Sequence, residues 1–444
     1  MTQAQIETIV DAVRRETGVP GLALCVEQDG KRWFAASGTV RTGSEMPLAR
    51  AARFDVSCLM KFFLSVMALK LKAQGALDPS SDIAAHLPEL GAGRGMQLLH
   101  LMSHASGYHG LDITDMAVRW NSKWESFAAR FRQEPQLFPP GAIFNYEHSE
   151  HVILGEILRR RFRIAPEAMV ADMLLAQADV RLRPSADGDD NICAHVFSSQ
   201  RGGYAPTKLP PFGPFWAASL PALTISLDEA VSGVKLALGD PAIARDLRQP
   251  LIGLPEMARS ENRAEKPPRQ FTAACGIYDD SIIGHNGSMF GQTLGFRADA
   301  RTGAVAAAGV NAYSADARDA ALRRVLDFLA GQEQQPSAKE SPGPLWHRRE
   351  GIFGDLTPDD AEGRYIGSYL GAVTVARDGA GFRVTVGPPG NRQSGFKLAS
   401  DGNGRWAIES RMPVSLRFQK APDGKAILFL GVHSYKSMEN LPGG

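Results

Sequence analysis

Residues 58 to 74 form a segment that is apolar on nearly every face of a helix. The run stops at Gly75, and its large side chains are Leu59, Phe62, Phe63, Val66, Met67 and Leu69. A helix of this kind must be buried on most sides, so the fold needs layers of structure around it. A chain of 444 residues is long enough to supply such a core and more than one domain.

Within residues 1–330, the first and the last segments both predict strands and helices that pack on one another. An N-terminal helix is indicated by an apolar face made of Ile6, Ile9, Val10 and Val13. Residues 22–26 and 32–36 are apolar runs joined by Gln28-Asp29-Gly30, which is typical of a hairpin. Strand character returns at residues 281–283, 294–298 and 304–310, before an amphipathic helix at 316–329.

These patterns predict the mixed α/β (α+β) class, with an antiparallel sheet flanked by helices. We expect a catalytic domain at 1–332, a linker at 333–362 rich in Gln, Pro, Ser and charge, and a small antiparallel β domain at 363–444. Between about residues 80 and 270 the sequence indicates helical pieces and loops.

The composition is that of a soluble protein with no obvious charged partner. There are 49 basic and 48 acidic side chains, which argues against nucleic acid or a membrane surface as the default partner. We find no signal peptide and no run of eighteen apolar residues. The four cysteines form no C-x-x-C pair, so we expect reduced thiols in a cytoplasmic protein and no metal or cofactor.

The buried helix opens with Cys58, and Lys61 follows one turn later. Positions i and i+3 share a helical face, so the thiol and the ammonium group can approach each other. The helix N-terminus and the ammonium group both favour a thiolate. On this motif alone, a buried structural cysteine beside a lysine that reaches solvent is the simpler interpretation.

Two further motifs carry candidate chemistry. Tyr146, in Asn145-Tyr146-Glu147-His148, can act as a general base if a lysine lies near it, although taken alone it is more simply a packing residue. His285, in Gly284-His285-Asn286-Gly287-Ser288, can donate a hydrogen bond to a substrate carbonyl or carboxylate. A turn between two strands explains the glycines of that motif equally well.

Taken in order, these motifs resemble those of the serine β-lactamase and penicillin-binding-protein superfamily, in its class C, esterase and D-peptidase branch. The S-x-x-K helix of that family resembles Cys58-x-x-Lys61, its Y-x-N element resembles Tyr146-Glu147-His148, and its K-T-G or H-x-G strand resembles His285-Asn286-Gly287. Residues 100–107, His-Leu-Met-Ser-His-Ala-Ser-Gly, resemble another landmark. The resemblance covers about residues 18 to 330, and the C-terminal segment resembles the lipocalin-like appendages of some members.

The resemblance implies a role for each matching residue. Cys58 would attack the acyl carbon, Lys61 would take or relay its proton, and Tyr146 would deliver a proton to the leaving group. The backbone N–H groups of Cys58 and Ser288 would form an oxyanion hole beside Gly287 and Asn286, and His285 would bind a polar group of the substrate. His100 and His104 match a landmark that is structural in the family.

The chain departs from the family at two of these positions. Cysteine stands at 58 in place of serine, and Ser57 does not replace it, because one helical position rotates a side chain by about 100°. Cys58 is therefore a natural thiol nucleophile, a serine-to-cysteine change made to trap an acyl-enzyme, or part of a silent relative that only binds ligand. His148 stands in place of asparagine, where an imidazole can act as the base for Cys58 or keep Lys61 neutral.

The expected function is acyl transfer through a covalent acyl-enzyme on Cys58. The substrate would be a small-molecule acyl donor, namely an ester, amide or peptide, which the enzyme hydrolyses or transfers. An amine-directed transacylase or cyclase of a natural-product pathway is the alternative, because a thioester reacts more readily with amines than with water at matched exposure. A non-catalytic binding protein is the alternative outside enzymes.

Overall fold

The structure is a computed structural model. It describes residues 1–91, 95–108, 122–184, 192–198, 201–207, 213–254, 268–289, 291–332, 349–351, 359–367, 371–379, 381–386, 394–400, 406–409, 416–420, 426–430 and 433–437. Most of the predicted linker, 333–362, lies outside these residues. The chain divides into two compact units, one formed by residues 1–79, 154–251 and 262–344 and the other by 80–153, 252–261 and 345–444.

The α-helices of the described residues are α1 Gln3–Thr17, α2 Leu59–Ala73, α3 Ile83–His86, α4 Leu98–Met102, α5 Trp124–Gln133, α6 His148–Phe162, α7 Pro166–Ala168, α8 Leu227–Gly239, α9 Pro241–Asp246 and α10 Ala315–Leu329. Short 3-10 helices lie at Pro88–Leu90, Leu175–Ala178, Pro214–Trp216 and Asp359–Ala361, and a π-helix at Met169–Leu174. No helix in the described part of the chain is both long and apolar enough to cross a membrane.

The strands are β1 Gly21–Gln28, β2 Lys31–Gly38, β3 Arg53–Asp55, β4 Arg183–Pro184, β5 Ala194–Ser198, β6 Gly203–Thr207, β7 Leu223–Ser226, β8 Ile252–Gly253, β9 Gln270–Phe271, β10 Gly276–Ile277, β11 Ile282–Met289, β12 Gln292–Asp299 and β13 Ala304–Val310. The C-terminal strands are β14 Arg349–Gly351, β15 Gly363–Gly367, β16 Gly371–Asp378, β17 Gly381–Val386, β18 Ser394–Ser400, β19 Trp406–Glu409, β20 Leu416–Lys420, β21 Ala426–Leu430 and β22 His433–Ser437.

The first unit is built on an antiparallel sheet whose strands follow the order β2-β1-β13-β12-β11-β10-β9. Helices α1 and α10 cover one face, where Ile6 and Val10 pack with Leu24, Ala308 and other buried residues of the central strands. The predicted antiparallel sheet flanked by helices is therefore confirmed.

The first hairpin shows how local sequence sets this sheet. Asp29 and Gly30 have φ angles of 50° and 73°, the left-handed conformation that a tight turn between twisted strands requires. The helix before it begins at a capping box in which Thr2 and Gln5 bond each other's backbone N–H groups, and it ends at left-handed Gly18. The structure confirms both the helix and the hairpin that the sequence predicts.

Helix α2 lies on the other face of the sheet and is buried as predicted. Phe62 packs against Phe296 of β12, with ring centroids 4.6 Å apart. A β-carbon on Gly233 of α8 would lie 3.0 Å from the ring of Phe63, and α8 also packs on β1 and β13, so α8 lies beside α2 on this face of the sheet. The π-helix Met169–Leu174 and helix α9 pack against α2 as well, so α2 is enclosed on most sides, which explains its apolar circumference.

The second unit contains a large antiparallel sheet in the C-terminal part of the chain. Its strands follow the order β14-β19-β18-β17-β16-β15-β22-β21-β20, so β22 returns to pair with β15. Ile427 of β21 packs with Leu137 and Phe138, which precede the tyrosine motif in the same unit. The predicted C-terminal antiparallel β structure is confirmed.

The interpretation of residues 80–270 as helical pieces and loops is wrong for several short strands. Ala194–Ser198 and Gly203–Thr207 form a hairpin, and β7 pairs with β3 and β4 in a small separate sheet. The hairpin carries His195, whose backbone N–H donates to the carbonyl oxygen of Gly291 at 2.9 Å. Such strands are too short to show period-two alternation, and distant chain segments hold them in place.

Candidate active site

Cys58 is the residue at which α2 begins. It follows β3 after a two-residue turn, and its side chain is 7% exposed. The backbone N–H groups of the first turn of a 15-residue helix lie at this end and favour a negative charge. The helix N-terminus therefore favours the ionised form of the thiol, whereas its burial opposes ionisation.

Ser57 adopts a conformation that few residues other than glycine take. Its φ angle is 49°, its side chain is buried, and its Oγ has no hydrogen-bond partner in the described residues. A strained residue persists only where its surroundings fix it. This turn therefore holds the neighbouring Cys58 in one orientation at the helix end.

Lys61 lies one turn further along α2 and is 1% exposed. Its backbone N–H donates to the carbonyl oxygen of Cys58 at 3.0 Å, so the two residues share the first turn as their spacing predicts. The described cysteine and lysine are thus both buried at the same end of the helix.

The motif from His285 to Ser288 lies inside β11 and forms no turn. Gly287 pairs with Leu294 and His285 with Phe296 in the antiparallel register with β12. A β-carbon on Gly287 would lie 3.2 Å from the carbonyl oxygen of Val56 and 3.3 Å from the Cys58 backbone nitrogen. The glycine therefore lets the strand pass close beside the turn that carries Cys58.

His285 faces α2 from this strand and is 4% exposed. Burial, together with the positive charge of Lys61, lowers the pKa of His285 to about 3. Its Nδ1 has no hydrogen-bond partner in the described residues. The ring is therefore neutral at ordinary pH, and it can donate or accept one hydrogen bond but brings no charge.

The side chain of Asn286 points to the opposite face of β11, as strand alternation requires. Its Oδ1 accepts from Arg297 at 2.8 Å and its Nδ2 donates to the Tyr278 hydroxyl at 3.0 Å. Ser288 Oγ lies on this face too, 3.4 Å from an Arg318 nitrogen. The structure thus does not bring the Asn286 and Ser288 side chains to the face of Cys58.

Tyr313 is a neighbour of Cys58 that no motif in the sequence indicates. It is an exposed residue that follows β13, and its backbone N–H donates to the carbonyl oxygen of His195 at 3.0 Å. Partial desolvation raises the pKa of Tyr313, and the negative charge of an ionised Cys58 raises it further. A single tyrosine in a loop belongs to no spaced motif, so the sequence alone does not mark Tyr313 as a residue near the site.

Tyr146, Glu147 and His148 lie in the second unit, at the start of α6. The ring of Tyr146 meets that of His148 edge-on, with centroids 5.7 Å apart at 90°. Glu147 and His148 are both buried, and Glu147 accepts from the Ser149 hydroxyl at 2.7 Å. The rings of Tyr146 and His148 are thus in contact at the start of α6.

The same unit places His104 against Tyr146. Their ring centroids are 4.2 Å apart at 37°, and the Nδ1 of His104 lies 2.6 Å from the Glu150 carboxylate. Both members of this histidine–carboxylate pair are at most 1% exposed. The sequence indicates only that His104 belongs to a motif that is structural in the family. It holds no signal that connects His104 with Glu150, 46 positions away.

The other cysteines lie in different chemical surroundings. Burial raises the pKa of the Cys25 thiol to about 12, with help from the charge of Asp228, and burial likewise raises that of Cys275 to about 12. Cys193 is half-buried beside the carbonyl oxygen of Ala194. In the described part of the chain, no three His, Cys, Asp or Glu side chains group as metal ligands.

A helix N-terminus carrying a nucleophile beside a strand of an antiparallel sheet is an arrangement suited to acyl transfer. The Beta-lactamase family model matches residues 6–328 of this chain. The protein therefore belongs to the beta-lactamase family, and the superfamily that its motifs resemble is confirmed.

Curated relatives match over shorter segments. A beta-lactamase of Yersinia enterocolitica is 24% identical over 38% of this chain and 44% of its own length. Penicillin-binding protein 4 of Amycolatopsis lactamdurans is 28% identical over 33% of this chain and 40% of its own length. The chain thus matches less than half of the length of these relatives.

Solved structures share the fold over a larger part of the chain. SurE superposes with a TM-score of 0.71 at 18% identity and covers 98% of this chain and 99% of its own. The octameric penicillin-binding protein homologue from Pyrococcus abyssi gives 0.63 at 17% identity, covering 98% and 100%. A class C beta-lactamase from Rhodobacter sphaeroides gives 0.58 at 17% identity over 73% and 99%.

Proposed function

We propose that the protein is an acyl-transfer enzyme that forms a covalent acyl-enzyme on Cys58. The observation behind this proposal is the close approach of Gly287 to Cys58. A β-carbon on Gly287 would lie 3.3 Å from the Cys58 backbone nitrogen. Such an approach leaves a narrow space in which backbone N–H groups can bind the oxygen of a substrate carbonyl. A packed structural cysteine needs no strand with a glycine beside it.

The proposed reaction has two steps. The Sγ of Cys58 forms a bond to the acyl carbon, the bond from that carbon to the leaving oxygen or nitrogen breaks, and the thiol proton passes to the leaving group. Water or an amine then attacks the thioester, gives up its proton and returns the thiol. Lys61 takes or relays the first proton, and Tyr146 delivers it.

The neutral state of His285 bears on the substrate of this reaction. A group whose pKa is lowered to about 3 brings no positive charge to the site at neutral pH. It therefore binds the acyl donor through a hydrogen bond, in the role proposed for it beside the backbone N–H groups of Cys58 and Ser288. We propose small esters, amides or peptides as donors, and the D-Leu in one SurE structure makes D-amino acid esters reasonable probes.

Intact-mass measurement tests the proposal. The protein is incubated with 4-nitrophenyl acetate, a D-leucine ester or benzylpenicillin, and the mass of the adduct is recorded over time. We expect one acyl group to add, and the Cys58→Ala variant to lose it. Cys193→Ala is the matched control, because that thiol is half-buried but lies outside α2, and the variant should acylate normally.

Two outcomes contradict the proposal. Absence of any adduct with all three donors favours a protein that binds ligand without turnover. An adduct that persists in Cys58→Ala shows that another nucleophile reacts. Adding an amine to the acylated protein then separates transfer from hydrolysis, since the two routes give different products.

A further inference from the structure

The second unit contains a fully buried histidine–carboxylate pair directly against Tyr146. We propose that His104 and Glu150 are positioning residues for Tyr146, fixing its ring and its proton affinity in acyl transfer. This inference rests on the proposed function, in which Tyr146 carries the proton to the leaving group. The observation behind it is the contact of the Tyr146 ring with a His104 ring that is bonded to Glu150.

His104 holds the tyrosine segment through its backbone as well as its ring. Its carbonyl oxygen accepts from the Asn145 backbone N–H at 2.8 Å, one residue before Tyr146. The next residue, Ala105, accepts from the Gly141 N–H at 2.7 Å. His104 also has a φ angle of 56°, a strained conformation that persists only where its surroundings fix it. The segment before α6 is thus tied to His104 and Ala105 by two backbone hydrogen bonds whose donors precede Tyr146.

Glu150 engages two separate groups of the same turn. One carboxylate oxygen lies 2.6 Å from the Nδ1 of His104, and the other accepts from the Ser106 N–H at 3.2 Å. A buried carboxylate is stable only where such donors compensate for its lost hydration. A carboxylate bonded to one ring nitrogen also fixes the orientation of an imidazole and raises its basicity.

The charge of this pair acts on the proton of Tyr146. A positive imidazole ring 4.2 Å from the phenol favours the phenolate, whereas a neutral ring does not. Glu150 determines which of the two states His104 takes. Among the described residues, His151 also faces the pair, with its ring 5.0 Å from that of His104, and His148 lies edge-on to Tyr146. The backbone N–H of Glu147 donates to the Nδ1 of His104 at 3.3 Å. The pair gains and loses no proton overall during turnover, since the transferred proton resides on Tyr146.

A double-mutant cycle tests the inference with D-leucine methyl ester as donor, because its alkoxide leaving group requires a proton. Glu150→Gln keeps the shape and a hydrogen-bond acceptor but removes the charge. We expect kcat to fall about tenfold, KM to change less than about twofold, and the pH midpoint of kcat to move by about one unit. In the Tyr146→Phe background the same change should have no further effect on kcat, because the group on which it acts is gone.

Glu156→Gln is the matched control. Glu156 is another largely buried glutamate of α6, paired with Arg159 and Arg160 and remote from the tyrosine motif. Loss of the Glu156 charge should lower thermal stability without shifting the pH dependence of kcat. If Glu150→Gln behaves in the same way, or if its effect is additive with Tyr146→Phe, His104 and Glu150 are only structural and the inference is wrong.

Two further measurements decide the outcome when Glu150→Gln alone does not. Should Glu150→Gln fail to fold, the pair His104→Phe and Glu150→Gln keeps the ring contact and leaves no buried charge. This double variant should show the same loss of kcat and the same shift of the pH midpoint, and a wild-type profile would overturn the inference. If the wild-type protein forms no adduct on Cys58, the proposed function fails instead, so the two failures are distinguishable.

Discussion

Gly287 passes so close to Cys58 that a β-carbon on it would lie 3.3 Å from the Cys58 backbone nitrogen. Such a contact is tighter than ordinary packing, so a methyl group there forces the strand and the turn apart by a few tenths of an ångström. We expect Gly287→Ala to lower the rate of Cys58 acylation at least about tenfold, because a small misplacement costs much in a preorganised site.

The matched control for this variant is Gly239→Ala. Gly239 lies at the end of α8, and a β-carbon there meets nothing within 4 Å. Replacement of glycine by alanine at such a site is neutral or slightly stabilising. Acylation kinetics and thermal melting of both variants check the expectation, and equal acylation rates would show that the Gly287 contact has no part in the reaction.

The sequence predicted the elements whose signals are local. The hairpin needed only Gln28-Asp29-Gly30 between two apolar runs, and α2 needed only its apolar circumference. The spacing of Cys58 and Lys61 likewise required nothing beyond helical geometry. These features carry their physical cause within a short stretch of chain, which is why a single sequence was enough.

Other parts of the site depend on contacts between distant segments. The interpretation of the His285 motif as a turn was left open by its glycines, whereas the pairing of β11 with β12 decides it. The roles of the Asn286 side chain and of Glu150 follow from Arg297 and His104, which lie 11 and 46 positions away. No periodicity connects residues at such separations, so only the folded arrangement reveals them.

Asn286 should contribute to stability more than to substrate binding. Its Oδ1 accepts from Arg297, whose side chain is fully buried and lies 3.7 Å over the Tyr278 ring. Asn286→Ala removes one hydrogen bond to this buried guanidinium, whose Nη1 also donates to the Phe296 carbonyl oxygen, so we expect a loss of about 1.5–3 kcal/mol in the free energy of unfolding. Urea unfolding and the KM for 4-nitrophenyl acetate measure the two effects, and a raised KM at unchanged stability would reverse the assignment.

Acid should destabilise the protein through its buried histidines. Burial lowers the pKa of His195, and burial with the charge of Lys61 lowers that of His285 to about 3. The unfolded chain binds these protons near the ordinary histidine pKa of 6.5, whereas the folded chain does not bind them until the pH is lower. Stability is therefore fully present above about pH 6.5 and is lost as the pH falls, by up to about 1.4 kcal/mol per pH unit for each group.

His195 offers a specific check of this pH dependence. Its Nε2 accepts from the Thr42 N–H at 3.0 Å while its Nδ1 lies 2.6 Å from the Asn311 carbonyl oxygen, so only the neutral ring satisfies both partners. His195→Gln retains an acceptor and a donor that do not titrate. Urea unfolding from about pH 7.5 to about pH 5.5 should show a shallower dependence in this variant, and identical slopes would assign the acid sensitivity elsewhere.

Tyr146 and His148 should differ in their effect on the reaction. The two rings meet edge-on with centroids 5.7 Å apart, so both are placed near the same proton. If Tyr146 delivers that proton, Tyr146→Phe lowers kcat by about 10²-fold or more, and His148→Ala has a much smaller effect. Steady-state kinetics with D-leucine methyl ester, whose alkoxide leaving group requires a proton, decide between them, and the reverse order would assign the base role to His148.

Restoring the residue that the family places at the nucleophile position should change the partition of products. In Cys58→Ser the first intermediate is an ester in place of a thioester, and an ester is attacked less readily by amines relative to water. The hydroxyl also needs more help from a base, because its pKa lies far above the ~8.5 of a free thiol. We expect Cys58→Ser to acylate more slowly and to give a larger fraction of hydrolysis product when an amine such as D-leucine amide is present. Product analysis by mass spectrometry at several amine concentrations measures this fraction. An unchanged ratio would mean that the surroundings of the acyl-enzyme, and not the sulfur atom, select the acceptor.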